Sequence, residues 1–301
     1  MSYHIRPSEN FTEEFKAVGA EQLNRAIAAL TQRPDGLVEA IHDARKNFKK
    51  LRSLYRLAAA DVPAFRRTEN ARIRNMARTL SAFRDATALV EVSQYLIRNA
   101  ENGEERAALK RIGKVLAARS DERAADGKPI EESVAAAIAT CGRALDALSR
   151  ITFEDGGSAG AKRVAKGWRK ALERAAAARA ACENTTDAHL FHELRKRSQD
   201  YRLYLDLLQR LWPSAMYAKR VEATEMVDLL GHHNDLALLA SLVNEQPHLF
   251  GKSEDQAYLL SAVITRQEAL REAALKLADS VFRDDPEAES RKIRLLWKDA
   301  A

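Results

Sequence analysis

The sequence predicts an all-α protein of long antiparallel helices. Apolar residues recur at spacings of three and four along almost the whole 301-residue chain, and sustained period-two alternation is missing. The composition agrees, since 46% apolar, 31% charged and 6% aromatic residues suit helices rich in Ala, Leu, Arg and Glu. Clusters of Gly, Pro, Asn and Asp divide the pattern. The first helix ends at RPDG (33–36), and the second, which carries IHDARKNFKKLRSLYRL (41–57), ends before DVP (61–63). A third spans roughly 64–99 up to ENG (101–103), a fourth reaches DGKP (126–129), and a fifth reaches TFEDGGSAGA (152–161). Later breaks fall at CENTTD (182–187), WPS (212–214), QPHLFGK (246–252) and RDDPEAE (283–289). About ten helices joined by short turns are most economically packed as bundles. The Gly-rich stretch near the midpoint is the candidate boundary between a first half, 1–151, and a second, 152–301.

The charge balance narrows the function classes. The formal net charge is +6, which favours polyanionic partners where the charge is clustered. Cys141 and Cys182 have no metal-like spacing and read as buried free thiols of a reducing compartment. The polar N-terminus lacks an apolar signal core, and no run of about 18 apolar residues could span a membrane. A cytoplasmic location with no membrane contact is the expectation.

Residues 41–57 hold six Lys or Arg, one acid and one His. Placed 100° apart around a helix, His42, Arg45, Lys46, Lys49, Arg52 and Arg56 share one side, a stripe about 21 Å long. Ile41, Ala44, Phe48, Leu51, Leu54, Tyr55 and Ala58 occupy the other, so the helix is amphipathic with a nearly all-cationic polar face. A solvated helix usually intersperses acids at i±4, because like charges there repel. The stripe reads as uncompensated, with no acid in phase with His42, Lys46, Lys49 or Arg56. Neutralising Lys46, Lys49 and Arg52 together is therefore expected to leave the fold intact. The helix over 64–99 adds Arg67, Arg74 and Arg78 on one face, with Arg84 at its edge and Asp85 close in phase.

A shift of 150 residues lays this stretch on FHELRKRSQDYRLYLDL (191–207). His42 meets His192, Arg45 meets Arg195, Lys46 meets Lys196 and Arg52 meets Arg202. The same shift lays LSAFRDATAL (80–89) on LGHHNDLALL (230–239), pairing Asp85 with Asp235. Leu matches count little between Leu-rich helices, but one offset pairing a His, two Arg, a Lys and an Asp implies two copies of a helical unit. The second stripe is weaker, because Gln199 and Asp206 stand where Lys49 and Arg56 stood. Asp85 and Asp235 are expected to orient Arg or His side chains of the neighbouring helix.

These residues resemble the CHAD domain, the conserved histidine α-helical domain family. Its pattern is His-(acid)-x-Arg-Lys-x-x-Lys-x-x-Arg followed by an Arg-Asp segment, both repeated in the second half. Here they stand as HDARKNFKKLR (42–52), LSAFRDATAL (80–89), HELRKRSQDYR (192–202) and LLGHHNDLALL (229–239). AKRVAKGWRKALERA (161–175) is similar to the helix that opens the family's second half, and the resemblance spans roughly 5–298. It implies two pseudosymmetric four-helix bundles around a basic central channel, and non-catalytic binding of inorganic polyphosphate, at polyphosphate granules, without a cofactor. Its implied binding residues are His42, Arg45, Lys46, Lys49, Arg52, His192, Arg195, Lys196 and Arg202; the stripe and the following helix add Arg56, Arg74 and Arg78 as candidates. Gln199 departs from the pattern where a Lys is usual. The family is often fused to a triphosphate-tunnel domain with an ExExK strand; EAESR (287–291) matches superficially but opens a helical segment and has no strands after it.

Other chemistries find little footing. A di-iron bundle needs two ExxH pairs with further Glu, whereas Glu39 and His42 form one such pair in a field of cations. His189 and His192 are spaced HxxH, and the adjacent His232 and His233 point apart on a helix. No Gly-rich phosphate loop follows a strand, and no nucleophile setting is evident. A nucleic-acid backbone is the serious alternative polyanion, as a weaker competitor. Single-strand binders place stacking aromatics beside their cations, and here Phe48 and Tyr55 lie on the core side. A structural scaffold with a basic surface is the third reading.

Overall fold

The computed structural model describes residues 3–125, 127–154 and 156–301, with side chains for all of these except 82–85, 123–125, 127, 128 and 157. The described residues form eleven α-helices and no strand. In chain order they are α1 (Phe11–Gln32), α2 (Gly36–Leu57), α3 (Pro63–Thr79), α4 (Ser81–Arg98), α5 (Gly103–Ala125), α6 (Gly127–Ser149), α7 (Gly157–Ala180), α8 (Ala188–Leu207), α9 (Pro213–Glu245), α10 (Ser253–Val281) and α11 (Pro286–Ala300). Single 3₁₀ turns at Gln209–Leu211 and Pro247–Phe250 precede α9 and α10.

Local chemistry explains most boundaries. Asn10 caps α1 by accepting the Glu13 N–H at 3.1 Å, and Asp187 caps α8 through the His189 N–H at 2.8 Å. Asp285 caps α11 through the Ala288 N–H at 2.7 Å. Pro63, Pro213 and Pro286 each open a helix, where a missing N–H costs nothing. α1 ends with Arg33 in the left-handed region, at φ 48°, and Gly36 starts α2 at φ 85°.

One expectation is corrected. The segment over 64–99 is two helices, broken at Leu80 without Gly or Pro. The carbonyl of Ala77, which would accept from Ser81 in an unbroken helix, instead takes the Arg45 guanidinium at 2.6 Å and the Ser81 hydroxyl at 3.0 Å. Arg45 also bonds Ser81 Oγ. A tertiary contact, invisible to a local reading, sets this boundary.

The apolar side of α2 packs as its periodicity requires: Ile41, Ala44, Phe48, Leu51, Leu54, Tyr55 and Ala58 are all buried. Two cores form, and each draws on both sides of residue 152. The larger unites α1, α2, α3 and α6 with α7, α8, α11, the first part of α9 and the last part of α10. The smaller unites α4 and α5 with Leu236, Leu239 and Val243 of α9 and Leu259, Val263 and Leu270 of α10. The long helices α9 and α10 thus run through both cores. Arg163 of α7 fastens the halves: buried between the rings of Phe11 and Phe153, it donates to Asp61 at 2.5 Å and to the Glu154 carbonyl at 3.1 Å. Both cysteines are buried and unpaired. Among the described residues no helix is long and apolar enough to cross a membrane.

Candidate functional site

α2 packs against α3, α7 and α8, and its polar face borders an open cleft of about 600 Å³ between α2, α3 and α8. Nine cationic side chains line it: Lys49, Arg52 and Arg56 from α2, Arg66, Arg67 and Arg74 from α3, and Arg195, Lys196 and Arg197 from α8. Among the described residues, Asn70, Gln199 and one carboxylate, Asp200, complete the polar lining. A narrower hollow of about 190 Å³ continues the cleft past Arg56, Arg66 and Arg197 toward Lys170 and Arg174 of α7. Its wall depends on Gly167, where a Cβ would come within 2.2 Å of the Leu57 carbonyl oxygen.

The cations at the cleft floor are held in place. Arg52 Nε donates to Asn70 Oδ1 at 2.7 Å, and Arg56 pairs with Asp200 across the α2–α8 seam. Burial and the neighbouring Arg56 push the Arg52 guanidinium down to about 10, still charged at neutral pH. Burial, then Arg174 and Arg56, hold Arg66 below its usual range. Crowded like charges of this kind gain most when an anion enters. Lys49, Arg67 and Arg74 stand exposed at the rim.

The structure divides the residues singled out in the sequence. Lys49, Arg52, Arg56, Arg74, Arg195 and Lys196 meet in the cleft, and they come from both halves. Arg45 instead ties α2 to the α3–α4 junction. Arg195 lies over Gly231, 150 residues on from Ser81, with Nε and Nη2 at 3.6 Å from the position of an added Cβ. Lys46 pairs with Asp43 at 3.1 Å, and Lys196 pairs with Glu193. The stripe is therefore not uncompensated: Lys46 and Arg56 both have acids, one from the same helix and one from α8. Arg52 and Arg56 are also joints between helices, which revises the expectation that the stripe stands apart from the fold. Arg78, in the last turn of α3, lines a shallow groove against α6 with Arg72 and Arg143.

The histidines stand apart from the cleft lining. His42 is half-buried on α2. His192 Nδ1 hydrogen-bonds Asn234 Oδ1 at 2.6 Å, and burial lowers its pKa. Asp235 touches this pair only at one remove, accepting from Asn234 Nδ2 at 3.3 Å; the residue that orients His192 is Asn234. The side chains of Arg84 and Asp85 lie outside the described residues. Arg202 turns toward Gln199 and Asp206 and is not part of the cleft lining. Among the described residues no three His, Cys, Asp or Glu side chains gather as a metal site would require.

With this geometry in hand, comparison with protein families is decisive: the family described as CHAD domain matches residues 17–244. The chain belongs to the CHAD domain family. Its fold is similar to the crystal structure of the CHAD domain from the plant Ricinus communis, at 20% identity and a TM-score of 0.54, covering 97% of this chain and 94% of that one. It is also similar to PptA from Streptomyces chartreusis, at 14% identity and a TM-score of 0.63, covering 92% of this chain and 100% of that one. Comparison with curated proteins gave no match.

In this CHAD domain, reading the sequence missed Arg66, Arg197, Lys170 and Arg174 as lining residues. Arg66 and Arg197 sit beside residues that were singled out, off the wheel's stripe, and converge on the cleft because α3 and α8 face each other across it. Lys170 and Arg174 lie in the segment resembling the family's second-half opening helix. Their one-turn spacing was the available signal.

Proposed function

We propose that this CHAD domain binds inorganic polyphosphate, without catalysis, in the cleft between α2, α3 and α8. The observation that carries the reading is nine cationic side chains against the one carboxylate of Asp200, converging from both halves of the chain. Among the described residues the lining holds no Ser, Cys, His or Glu to serve as nucleophile or proton carrier, and Asp200 is engaged by Arg56. Among the described residues it also holds no aromatic ring on which a base could stack, which favours a polymer of bare phosphates over a nucleic acid. Such binding would hold the protein on polyphosphate granules in the cytoplasm.

Polyphosphate should displace bound tRNA or DNA, and either nucleic acid should displace polyphosphate poorly. Affinity should also fall with salt. With six to eight phosphates neutralised, log K against log salt should slope by roughly −4 to −6, by analogy with single strands. A slope near zero, or nucleic acid outcompeting polyphosphate, would refute the reading.

A further inference from the structure

α2 and α8 bury the same positions. From 41–58 to 191–208 the pattern of buried, half-buried and exposed residues repeats at every position but one, Lys49 against Gln199. The same shift carries α3 onto the first part of α9. The counterpart of the basic cleft therefore lies between α8, α9 and the other edge of α2, and its chemistry has been changed. Arg66, Arg67 and Arg74 become Met216, Tyr217 and Thr224, and Arg56 becomes Asp206.

Cations remain at this second place. Arg202 Nη1 lies 3.6 Å from Asp206 Oδ2, and Arg220 Nε lies 3.6 Å from Asp206 Oδ1. Both distances exceed a hydrogen bond. Arg220 Nε is buried with no hydrogen-bond partner among the described residues. Gln199, with its amide oxygen toward Arg202, accepts from Nε at 3.1 Å and Nη2 at 2.9 Å. Burial lowers the pKa of the half-buried Lys50, and the charge of Asp206 opposes that shift. One carboxylate thus stands among Arg202, Arg220 and Lys50, offsetting part of their charge without a hydrogen bond to either guanidinium.

Resting on the polyphosphate reading above, we infer that Asp206 is an internal counter-anion that closes a second phosphate site, so that the polymer is taken up on one side of the α2–α8 pair. Asp206 is in this sense a specificity residue: it supplies from within the chain the charge that phosphate supplies in the open cleft. A phosphoryl group, with three oxygens and a larger charge, would satisfy the same cations better once the carboxylate charge is gone.

Calorimetric titration with tripolyphosphate tests this in four full-length proteins. The parent should bind one equivalent, and Asp206→Asn two. Asp206→Asn with Arg220→Gln should return to one, because the vacated site then lacks the guanidinium whose buried Nε has no hydrogen-bond partner among the described residues. Asp206→Asn in a chain whose cleft is disabled by Lys49→Gln, Arg67→Gln and Arg74→Gln should bind one equivalent, at the new site. If Asp206→Asn binds one equivalent with the parent's affinity, the inference is overturned. If the parent binds nothing but Asp206→Asn binds one, the inference stands and the cleft reading fails; if neither binds, both fail. Should Asp206→Asn melt below the assay temperature, Asp206→Ser removes the same charge with a smaller side chain and is read the same way.

Discussion

α3 and the first part of α9 begin alike, each with a Pro one residue into its turn, and each follows a helix carrying the His-x-x-Arg-Lys pattern. Yet α3 brings Arg66, Arg67 and Arg74 to the cleft, and stops at Leu80. α9 carries Met216, Tyr217 and Thr224 at the same places and continues unbroken to Glu245. Tyr217 and Val221 stand exposed on it, with the Arg220 guanidinium 5.2 Å from the Tyr217 ring centre. Duplicated helices keep what packing demands, because a core tolerates few changes in volume or polarity. Their solvent faces are free to diverge in charge, and the divergence here makes one side a cation-lined cleft and the other a cationic cluster partly offset by its own carboxylate, Asp206.

The largest expected effect concerns His233, whose counterpart in the first half is Phe83. His233 is buried against Phe191, ring centres 5.0 Å apart. Burial, then the charge of Arg271, pushes its pKa from 6.5 down to about 4. Between those values the unfolded chain binds a proton that the folded chain refuses. Stability is thus fully present above pH 6.5 and falls as pH drops toward 4, by up to about 3 kcal/mol from this group. His233→Phe, which copies the first-half residue, should flatten that acid limb in denaturant unfolding followed from pH 7 to 4.5. An unchanged difference between parent and variant across this range would show that His233 is not buried as a neutral ring.

A matched pair of triple variants tests the comparison itself. Lys49→Gln, Arg67→Gln and Arg74→Gln together should weaken polyphosphate binding at least about tenfold, ~1.4 kcal/mol, with the melting temperature held. The set on the facing side of α9, Tyr217→Gln, Val221→Gln and Thr224→Gln, should change affinity by less than about twofold. Equal losses in the two sets would mean that both sides of the α2–α8 pair bind polymer. The smallest effect separates two lysines at equivalent positions, both exposed and both paired with an acid three residues earlier. Lys196→Gln, in the cleft, should cost roughly two- to fivefold in affinity, whereas Lys46→Gln, outside it, should cost nothing measurable.

How much of this was legible beforehand follows from the range of the forces involved. The core side of α2 could be read residue by residue, since helical period and apolarity are local properties. The N-caps and prolines that open helices were local too. The break at Leu80 was not, because it depends on Arg45 reaching the Ala77 carbonyl from another helix. The wheel placed Arg45 and Lys49 on one stripe, but whether a cation on that stripe meets a cleft or a neighbouring backbone depends on what lies opposite.

By itself the sequence determined an all-α chain, a repeat at an offset of 150 residues, and a basic stripe in each copy of uneven strength. Each of these is written in spacing and residue type. Only the tertiary structure decided which cations converge: it took Arg45 to the α3–α4 junction and fixed His192 with Asn234, outside the cleft lining. It brought Arg66 and Arg197 into the cleft with Lys49 and Arg74, and set Asp206 among Arg202, Arg220 and Lys50. The physical reason is that charges act over a few ångströms in space. Side chains distant in sequence become partners or competitors only when packing of the apolar faces has fixed how the helices cross.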